Sequence, residues 1–429
     1  MHAISVQQAL SWRTGLAYGA LAAPLAFVSL PLYVTLPHYY AAEAGAPLAG
    51  LGAVLLATRA FDALLDPALG RLADRLLQRG RGAAWLAAAL GSLAMALGFF
   101  ALWHPPASHP VQMLGWLAAC LLLSTLAYSA VAILHQTWGT RWGGQAAWRT
   151  QVTAWREGAT LVGVLTASVL PSLLGMDATS AVLLAALGLG LLGLYRLRDP
   201  RAGDADAVAR AAPRGGLPQA SPWRDAAFRR LLSVFMLNGI AAAIPATLLP
   251  FFVVDRLQAP ELLPLFLLCY FAAAALGLPL WVKAVARWGL APSWRAGMLA
   301  SVIAFFSASL LGAGDAWAFA AICIASGLAL GADLAVPGAL LTGVIHESGH
   351  GGSGDGRYLG WWACATKLNL ALAAGLCLPL LAIAGYHSGS TAPAGLQALA
   401  WTYGGLPCLL KLLALASLWR AERLQPSWR

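Results

Sequence analysis

Three ionisable residues, Arg59, Asp62 and Asp66, interrupt the apolar run from residue 47 to residue 70. The aspartates are four residues apart, which places both on one face of an α-helix, and Arg59 precedes Asp62 by three residues on the same side. Because charged groups are costly in hydrocarbon, ionisable residues inside a membrane span indicate a binding or transport site. Two adjacent carboxylates repel each other until one takes up a proton or both share a cation. The run therefore predicts a cation-coupling site in a solute carrier.

A structural interpretation of the same run stays open. An arginine and an aspartate can neutralise each other inside a helix bundle. Asp66 can also lie near the cytoplasmic mouth of the span, where water solvates it. In either case the charges would belong to the fold and would not bind a transported ion.

Other charged residues fall inside predicted spans further along the chain. Asp333 and Lys367 lie in spans 10 and 11, so each must face a partner or water, and a central cavity is the expected place for both. An ion pair between them is one hypothesis. Arg156 and Glu157 begin span 5, where a pair that reaches the cytoplasmic interface is the alternative. Lys411 in span 12 is expected to extend to the cytoplasmic boundary.

Polar uncharged side chains complete the predicted cavity. Span 4 carries Ser129, His135 and Gln136, and span 1 carries Tyr33. We expect Gln136 and Tyr33 to face the solute. His135 is either a proton relay or a passive polar group.

The composition is that of a membrane protein. Of the 429 residues, 60% are hydrophobic and 10% are charged, whereas soluble domains carry about 25% charged residues. The net charge of +10 is not gathered into a basic stripe with interleaved aromatic residues, so we expect no nucleic-acid partner. The six cysteines lie in apolar runs without a CxxC pair, which is typical of small buried side chains. We expect no cofactor and no metal site, apart from the coupling ion.

Twelve apolar runs are long enough to cross a bilayer, which takes roughly 20 residues each. They cover residues 15–40, 47–70, 83–103, 111–137, 153–174, 178–195, 227–253, 260–282, 291–313, 316–345, 359–385 and 396–419. We therefore predict an all-α polytopic membrane protein, with a six-helix bundle over 1–195, a cytoplasmic linker over 196–225 and a second six-helix bundle over 226–429. Two six-helix halves joined in this way are the architecture of the major facilitator superfamily.

Basic residues are concentrated in loops on one side of these spans. The 2–3 loop and the 6–7 segment are rich in arginine, whereas Arg256 is the only basic loop residue predicted on the opposite side. The positive-inside rule then places both termini in the cytoplasm. We expect a multi-pass protein of the bacterial inner membrane.

Residues 70–81 resemble the loop signature G-x-L-x-D-R…G-R of the superfamily. The resemblance implies that this segment clamps helices on the cytoplasmic side when the transporter faces outward. Gly70, Asp74 and Arg75 are the gating residues that it implies, and we group Arg59 with them. A basic, glycine-marked turn recurs near Gly289, at the matching position of the second half.

The run 59–70 resembles one branch of that superfamily, the glycoside–pentoside–hexuronide:cation symporters, or melibiose-carrier-like proteins. The resemblance implies that Asp62 and Asp66 bind the coupling Na⁺ or H⁺. Arg156 matches the arginine with which that branch contacts sugars, and Lys367 matches its lysine in span 11. The implied function is cation-coupled uptake of a sugar or a related solute.

The chain departs from that branch at several positions. Sodium-coupled members carry an asparagine just before the second aspartate, where this chain has Leu65, although Ser129 aligns with a threonine ligand in span 4. One oxygen ligand is thus missing, which favours H⁺ over Na⁺. Acidic and aromatic residues that grip galactosides in the branch correspond to positions near Ala26 and at Ala132 and Gln136. The cavity is therefore poorly suited to a melibiose-like sugar.

These observations predict a monomeric secondary transporter that works by alternating access in a lipid bilayer, rather than an enzyme. The cation site comprises Asp62, Asp66 and Ser129, and the solute contacts are Arg156, Lys367, Asp333, Gln136 and Tyr33. An exporter or a lipid or drug carrier of the same fold is the alternative. An intramembrane enzyme is remote: His346 and His350 flank Glu347 without the H-E-x-x-H order. A channel is disfavoured because buried opposite charges suit occlusion better than conduction.

Overall fold

The computed structural model describes residues 10–40, 44, 46–106, 109–197, 221–386, 389 and 392–428. Throughout these residues the regular structure is helical, with no strand among them. Nine of the described helices are long and apolar enough to cross a membrane. Each predicted span has a helical counterpart, so the prediction of an all-α polytopic protein is confirmed. The predicted linker, residues 196–225, lies mostly outside the described residues.

The chain divides into two compact units. The first comprises Met1–Ser221 together with Ile345–Cys364, and the second comprises Pro222–Val344 together with Ala365–Arg429. The short segment 345–364 thus groups with the first unit, although it follows span 10 in the sequence.

The first unit is built from helices with small residues at their contacts. They are α1 (Trp12–Gly19), α2 (Ala22–Leu30), a π-helical turn (Pro31–Thr35), α3 (Leu36–His38), α4 (Leu48–Gln78), α5 (Arg81–Leu102), α6 (Pro110–Thr140) and α7 (Ala146–Arg196). Gly175, with φ 76°, breaks α7 into the two predicted spans. A Cβ on Gly163 of α7 would lie 2.0 Å from the carbonyl oxygen of Ala23 on α2, so only glycine permits this approach. Such small-residue contacts are how helices associate where hydrophobic burial gives no driving force.

The second unit repeats the pattern. Its helices are α8 (Ala226–Phe251) with a π-helical end (Phe252–Arg256), α9 (Leu263–Trp288), α10 (Leu290–Phe306), α11 (Ala316–Glu347), α12 (Asp355–Ile383), α13 (Pro393–Ala400), a further π-helical turn (Trp401–Gly405) and α14 (Leu406–Leu424). The last residues of α11, from 345, and the first part of α12, residues 355–364, belong to the first unit. Its core includes stacked aromatic rings, with Phe252 and Tyr403 4.1 Å apart between centroids. As in the first unit, the opening span contains a π-helical segment in its second half, which supports an internal repeat.

Helix α4 is longer than the predicted span. We expected a loop after Gly70, but the helix continues to Gln78. Residues 71–78 are good helix formers, apart from Asp74, and the chain turns only at Gly80, with φ 117°. The signature residues Asp74 and Arg75 therefore lie on the last two turns of a helix.

The turns at Gly80 and Gly289 share one backbone conformation. Gly80 has φ 117° and ψ 166°, and Gly289 has φ 84° and ψ 179°. This region is open essentially to glycine alone. Each glycine directly precedes the next helix, so the predicted glycine-marked turns of the two halves are present in the structure.

Replacing Gly289 by alanine should destabilise the protein, because the new Cβ forces a strained backbone that costs about 1–3 kcal/mol. Gly188 is the matched control, since it is a helical glycine of α7 and a Cβ added there would meet no atom within 4 Å. We expect Gly289→Ala to lower the melting temperature of the detergent-purified chain and Gly188→Ala to leave it unchanged or raise it. Equal melting temperatures for the two variants would contradict the backbone argument.

Candidate functional site

The carboxylate pair lies on α4, inside the first unit. Asp62 is 4% exposed and Asp66 is fully buried. Ser129 of α6, itself 2% exposed, donates a hydrogen bond from Oγ to Oδ1 of Asp62 at 2.7 Å. The structure thus brings together the predicted cation residues Asp62 and Ser129, and the helical spacing places Asp66 one turn further along α4. These are oxygen-bearing groups in a dry environment, which suits a proton or a small cation.

The local sequence shapes this part of α4. Pro67 directly follows Asp66 and lies within the helix. Proline has no N–H, so the carbonyl group of Ala63 loses its usual helical donor at this point. An additional backbone acceptor is therefore present between the two aspartates. Arg59, one turn before Asp62, is exposed.

Arg156 and Glu157 form a pair on α7. The Nε atom of Arg156 donates to Oε1 of Glu157 at 3.1 Å, and the two side chains are 16% and 17% exposed. The guanidinium is thus partly buried beside a carboxylate rather than extended into water. Such a group can exchange its partner for an anionic or hydroxyl group of a solute.

Helices α1 and α6 are linked beside this pair. His135 donates from Nε2 to the carbonyl oxygen of Tyr18 at 2.8 Å, and the Tyr18 hydroxyl donates to the carbonyl oxygen of His135 at 3.3 Å. A carbonyl only accepts, so Nε2 carries the hydrogen. Since both residues are 2% exposed, this reciprocal contact fits the passive alternative for His135. Gln136, the next residue, is half-buried, and the side chain of Tyr33 lies outside the described part of the chain.

Asp333 lies in a closed polar network of the second unit. Its Oδ1 atom accepts hydrogen bonds from Nδ2 of Asn238 at 3.0 Å and from Nε1 of Trp294 at 2.8 Å. Lys411 donates from Nζ to Oδ2 of Asp333 at 2.6 Å and to Oδ1 of Asn238 at 2.9 Å. The expectation that Lys411 would extend to the cytoplasmic boundary is wrong, because a buried carboxylate attracts the ammonium more strongly than the membrane interface does. Lys367, the hypothetical partner, is half-buried on α12.

A further buried carboxylate of the first unit, Asp74, contacts the beginning of α12. Its Oδ1 accepts from the backbone N–H of Gly356 at 2.8 Å, and its Oδ2 accepts from the N–H of Arg357 at 3.1 Å. The first N–H groups of a helix have no partner within the helix, and the helix dipole favours a negative charge there. Burial nevertheless raises the pKa of Asp74 to about 6, against the opposing effect of the Gly356 N–H. Arg75, the next residue, is exposed.

Glycines allow α4 and α12 to touch through their backbones. A Cβ on Gly70 would lie 2.0 Å from the carbonyl oxygen of Gly356, and a Cβ on Gly360 would lie 2.5 Å from that of Asp66. The contact therefore tolerates no side chain at these positions. It joins the signature residues Gly70 and Asp74 to the same turn of α12, immediately beside the carboxylate pair.

Several of these residues were not predicted from the sequence. Asn238, Trp294 and Lys411 were not recognised as partners of Asp333, because nothing in their local sequence links four separate helices. The spacing of Gly356 and Gly360 was a usable signal, since glycines four apart mark a close helix contact.

The histidines near the end of α11 do not form a metal centre. His346 donates from Nε2 to the carbonyl oxygen of Thr140 at 2.9 Å. Within the described residues no group of three His, Cys, Asp or Glu side chains is arranged to hold a metal ion.

Comparison with solved structures shows transporters of the same fold. A bacterial homologue of the iron transporter ferroportin, in its outward-facing state, superposes with a TM-score of 0.67 at 15% identity, over 96% of this chain and 100% of that one. A variant of the Escherichia coli fucose:proton symporter FucP superposes with a TM-score of 0.64 at 12% identity, over 95% of this chain and 97% of that one. At such identities the likeness shows the fold alone. No curated protein matches the sequence.

A family assignment follows from the sequence itself. The family described as MFS/sugar transport protein, where MFS is the major facilitator superfamily, matches residues 15–422. This range includes the carboxylate pair, the α4–α12 contact and the Asp333 network. The match supports the predicted superfamily and a membrane transporter rather than an enzyme. The chain therefore belongs to the MFS/sugar transport protein family.

Proposed function

We propose that this transporter couples the movement of a small sugar-type solute to a proton, by alternating access. The observation that carries the proposal is the buried Asp62–Ser129 contact with Asp66 one helical turn away. Two carboxylates in a dry bundle cannot both stay ionised without a counter-ion. Binding of a proton or another cation would change the charge state of such a pair, which is what coupling requires. The resemblance to the glycoside–pentoside–hexuronide:cation symporters points in the same direction.

A proton suits this site better than sodium. Sodium is held by several oxygen ligands, and the asparagine that sodium-coupled members carry before the second aspartate is Leu65 here. A proton needs only one carboxylate oxygen and a neighbouring acceptor. The fold likeness to a fucose:proton symporter is compatible with this choice.

We assign solute recognition to Arg156 and Lys367, assisted by Gln136 and Tyr33. The guanidinium of Arg156 is already partly desolvated beside Glu157, so a solute can bind it at a reduced desolvation cost. Two cations in the recognition set favour a solute with a carboxylate or several hydroxyl groups. We place the protein in the bacterial inner membrane, with both termini cytoplasmic, on the distribution of its arginines.

The contact between α4 and the beginning of α12 acts as the cytoplasmic gate in this proposal. Gly70 and Asp74 supply it directly, while the exposed Arg59 and Arg75 are auxiliary members of the gate. Asp74 stabilises the closed contact through two backbone N–H groups. Opening would release those donors to water. The gate adjoins the coupling site because Gly360 contacts the backbone of Asp66, so protonation of the pair can affect the same contact.

Replacing Asp62 or Asp66 by asparagine should abolish proton-driven accumulation, since an amide cannot take up the coupling proton. The measurement is sugar-induced alkalinisation outside right-side-out vesicles, with L-fucose, D-xylose and D-glucuronate as probes, together with uphill uptake of the same labelled sugars. Asp177→Asn, at a carboxylate 80% exposed, is the matched control and should behave like the wild type. Uphill uptake that persists in Asp62→Asn and Asp66→Asn would disprove proton coupling at this pair.

Replacing Gly70 by valine should prevent the α4–α12 contact, because even its Cβ would meet the carbonyl oxygen of Gly356. We expect labelled-sugar uptake to fall by about an order of magnitude, which corresponds to a destabilisation of the closed state by ~1.4 kcal/mol. Gly52→Val is the control on the same helix, since no atom lies within 4 Å of that position. The accessibility of the chain's own cysteines to a thiol reagent added on the cytoplasmic side should rise in Gly70→Val and not in Gly52→Val. Unaltered accessibility in Gly70→Val would contradict the gate.

A further inference from the structure

The environment of Asp333 differs from that of the Asp62–Asp66 pair. Asp333 accepts three hydrogen bonds from protein donors, one of them an ammonium group. The side chains of Lys411 and Asp333 are 7% and 10% exposed. A carboxylate offers about four acceptor sites, so protein donors already occupy most of them. At most about one of these sites is therefore left for a solute hydroxyl.

We propose that Asp333 is a positioning residue that ties α8, α10, α11 and α14 together through Asn238, Trp294 and Lys411, and is neither a solute ligand nor the proton carrier. This assignment rests on the proposed transport function and gives the second unit a fixed internal ion pair. It replaces the expectation that Asp333 contacts the solute.

Three of the hydrogen bonds close a ring. Lys411 donates to Asp333 and to Asn238, and Asn238 donates to Asp333. The ring orients the Asn238 amide, whose oxygen must face the ammonium while its NH₂ group faces the carboxylate. Satisfied buried networks of this kind make a core rigid and specify one packing. The four helices are thereby held in one register.

A positioning role and a binding role predict different results when the two buried charges are removed together. Removing one member of a buried ion pair strands the other charge, whereas replacing both members by neutral groups is often tolerated. A ligand or proton carrier cannot be replaced in this way, because its own chemistry is needed. Exchanging the two charges should also fail here, since Trp294 would then direct its N–H donor at an ammonium.

The experiment compares Asp333→Asn, Lys411→Met, the double variant and the exchanged pair Asp333→Lys with Lys411→Asp. Melting temperatures of the purified full-length chain are measured first, because they require no solute. The matched control is Lys283→Met, at an exposed lysine of α9. The uptake of L-fucose, D-xylose and D-glucuronate is then measured over a range of pH, together with KM.

We expect each single variant and the exchanged pair to lose folded protein or melting temperature, and the double neutral variant to recover both. The double variant should also keep its KM within about twofold of the wild type, as expected when no solute contact is removed, and keep the wild-type pH profile. A folded double variant with a strongly raised KM would make Asp333 or Lys411 a solute ligand. Loss of uphill uptake in that folded variant would make the pair part of proton coupling. Both results would overturn the proposal.

The proposed function can fail separately. If Asp62→Asn keeps uphill uptake, coupling at the Asp62–Asp66 pair is wrong, while the melting temperatures still decide the role of Asp333. If none of the three sugars is transported by the wild type, the same temperatures remain decisive. If the double variant is no more stable than either single variant, that result alone would contradict the proposal that Asp333 and Lys411 form a positioning ion pair.

Discussion

The cost of burying charge organises this protein. An isolated ion in a dry bundle is unfavourable by far more than any single packing contact contributes, so every buried ionisable group needs a defined partner. Each unit shows one such partnership. In the first, Asp62 accepts from the neutral hydroxyl of Ser129, whereas in the second, Asp333 is matched by the ammonium of Lys411.

At the end of α4, a buried carboxylate has backbone N–H groups as its partners. Asp74 is stabilised by the N–H groups that begin α12, and this is possible because Gly70 and Gly356 let the two helices touch. Burial works against the carboxylate and raises its pKa to about 6. The carboxylate is thus held by backbone donors in spite of its burial.

Much of the candidate cation site could be predicted from the sequence, because its two aspartates are close together along the chain. Asp62 and Asp66 share a face by helical geometry alone, and an apolar run with two acids is anomalous at any position in a membrane protein. The partner of Asp333 could not be predicted in this way. Lys411 lies 78 positions later in the chain, and its own span resembles many in which a lysine reaches the interface. The predicted end of span 2 at residue 70 was also too early. Helix-forming residues extend α4 past Gly70 to Gln78, and the chain turns at Gly80.

The internal repeat shows which features belong to the fold and which to function. The glycine turns before α5 and α10 have the same backbone conformation in both halves, and the opening span of each half contains a π-helical segment. These features define how the chain reverses direction, so both halves need them. The acids of α4 do not repeat. When the two glycine turns are aligned, the positions that match residues 62, 66 and 74 are Phe271, Ala275 and Lys283. The glycine turn is thus present in both halves, while the carboxylate pair is confined to the first.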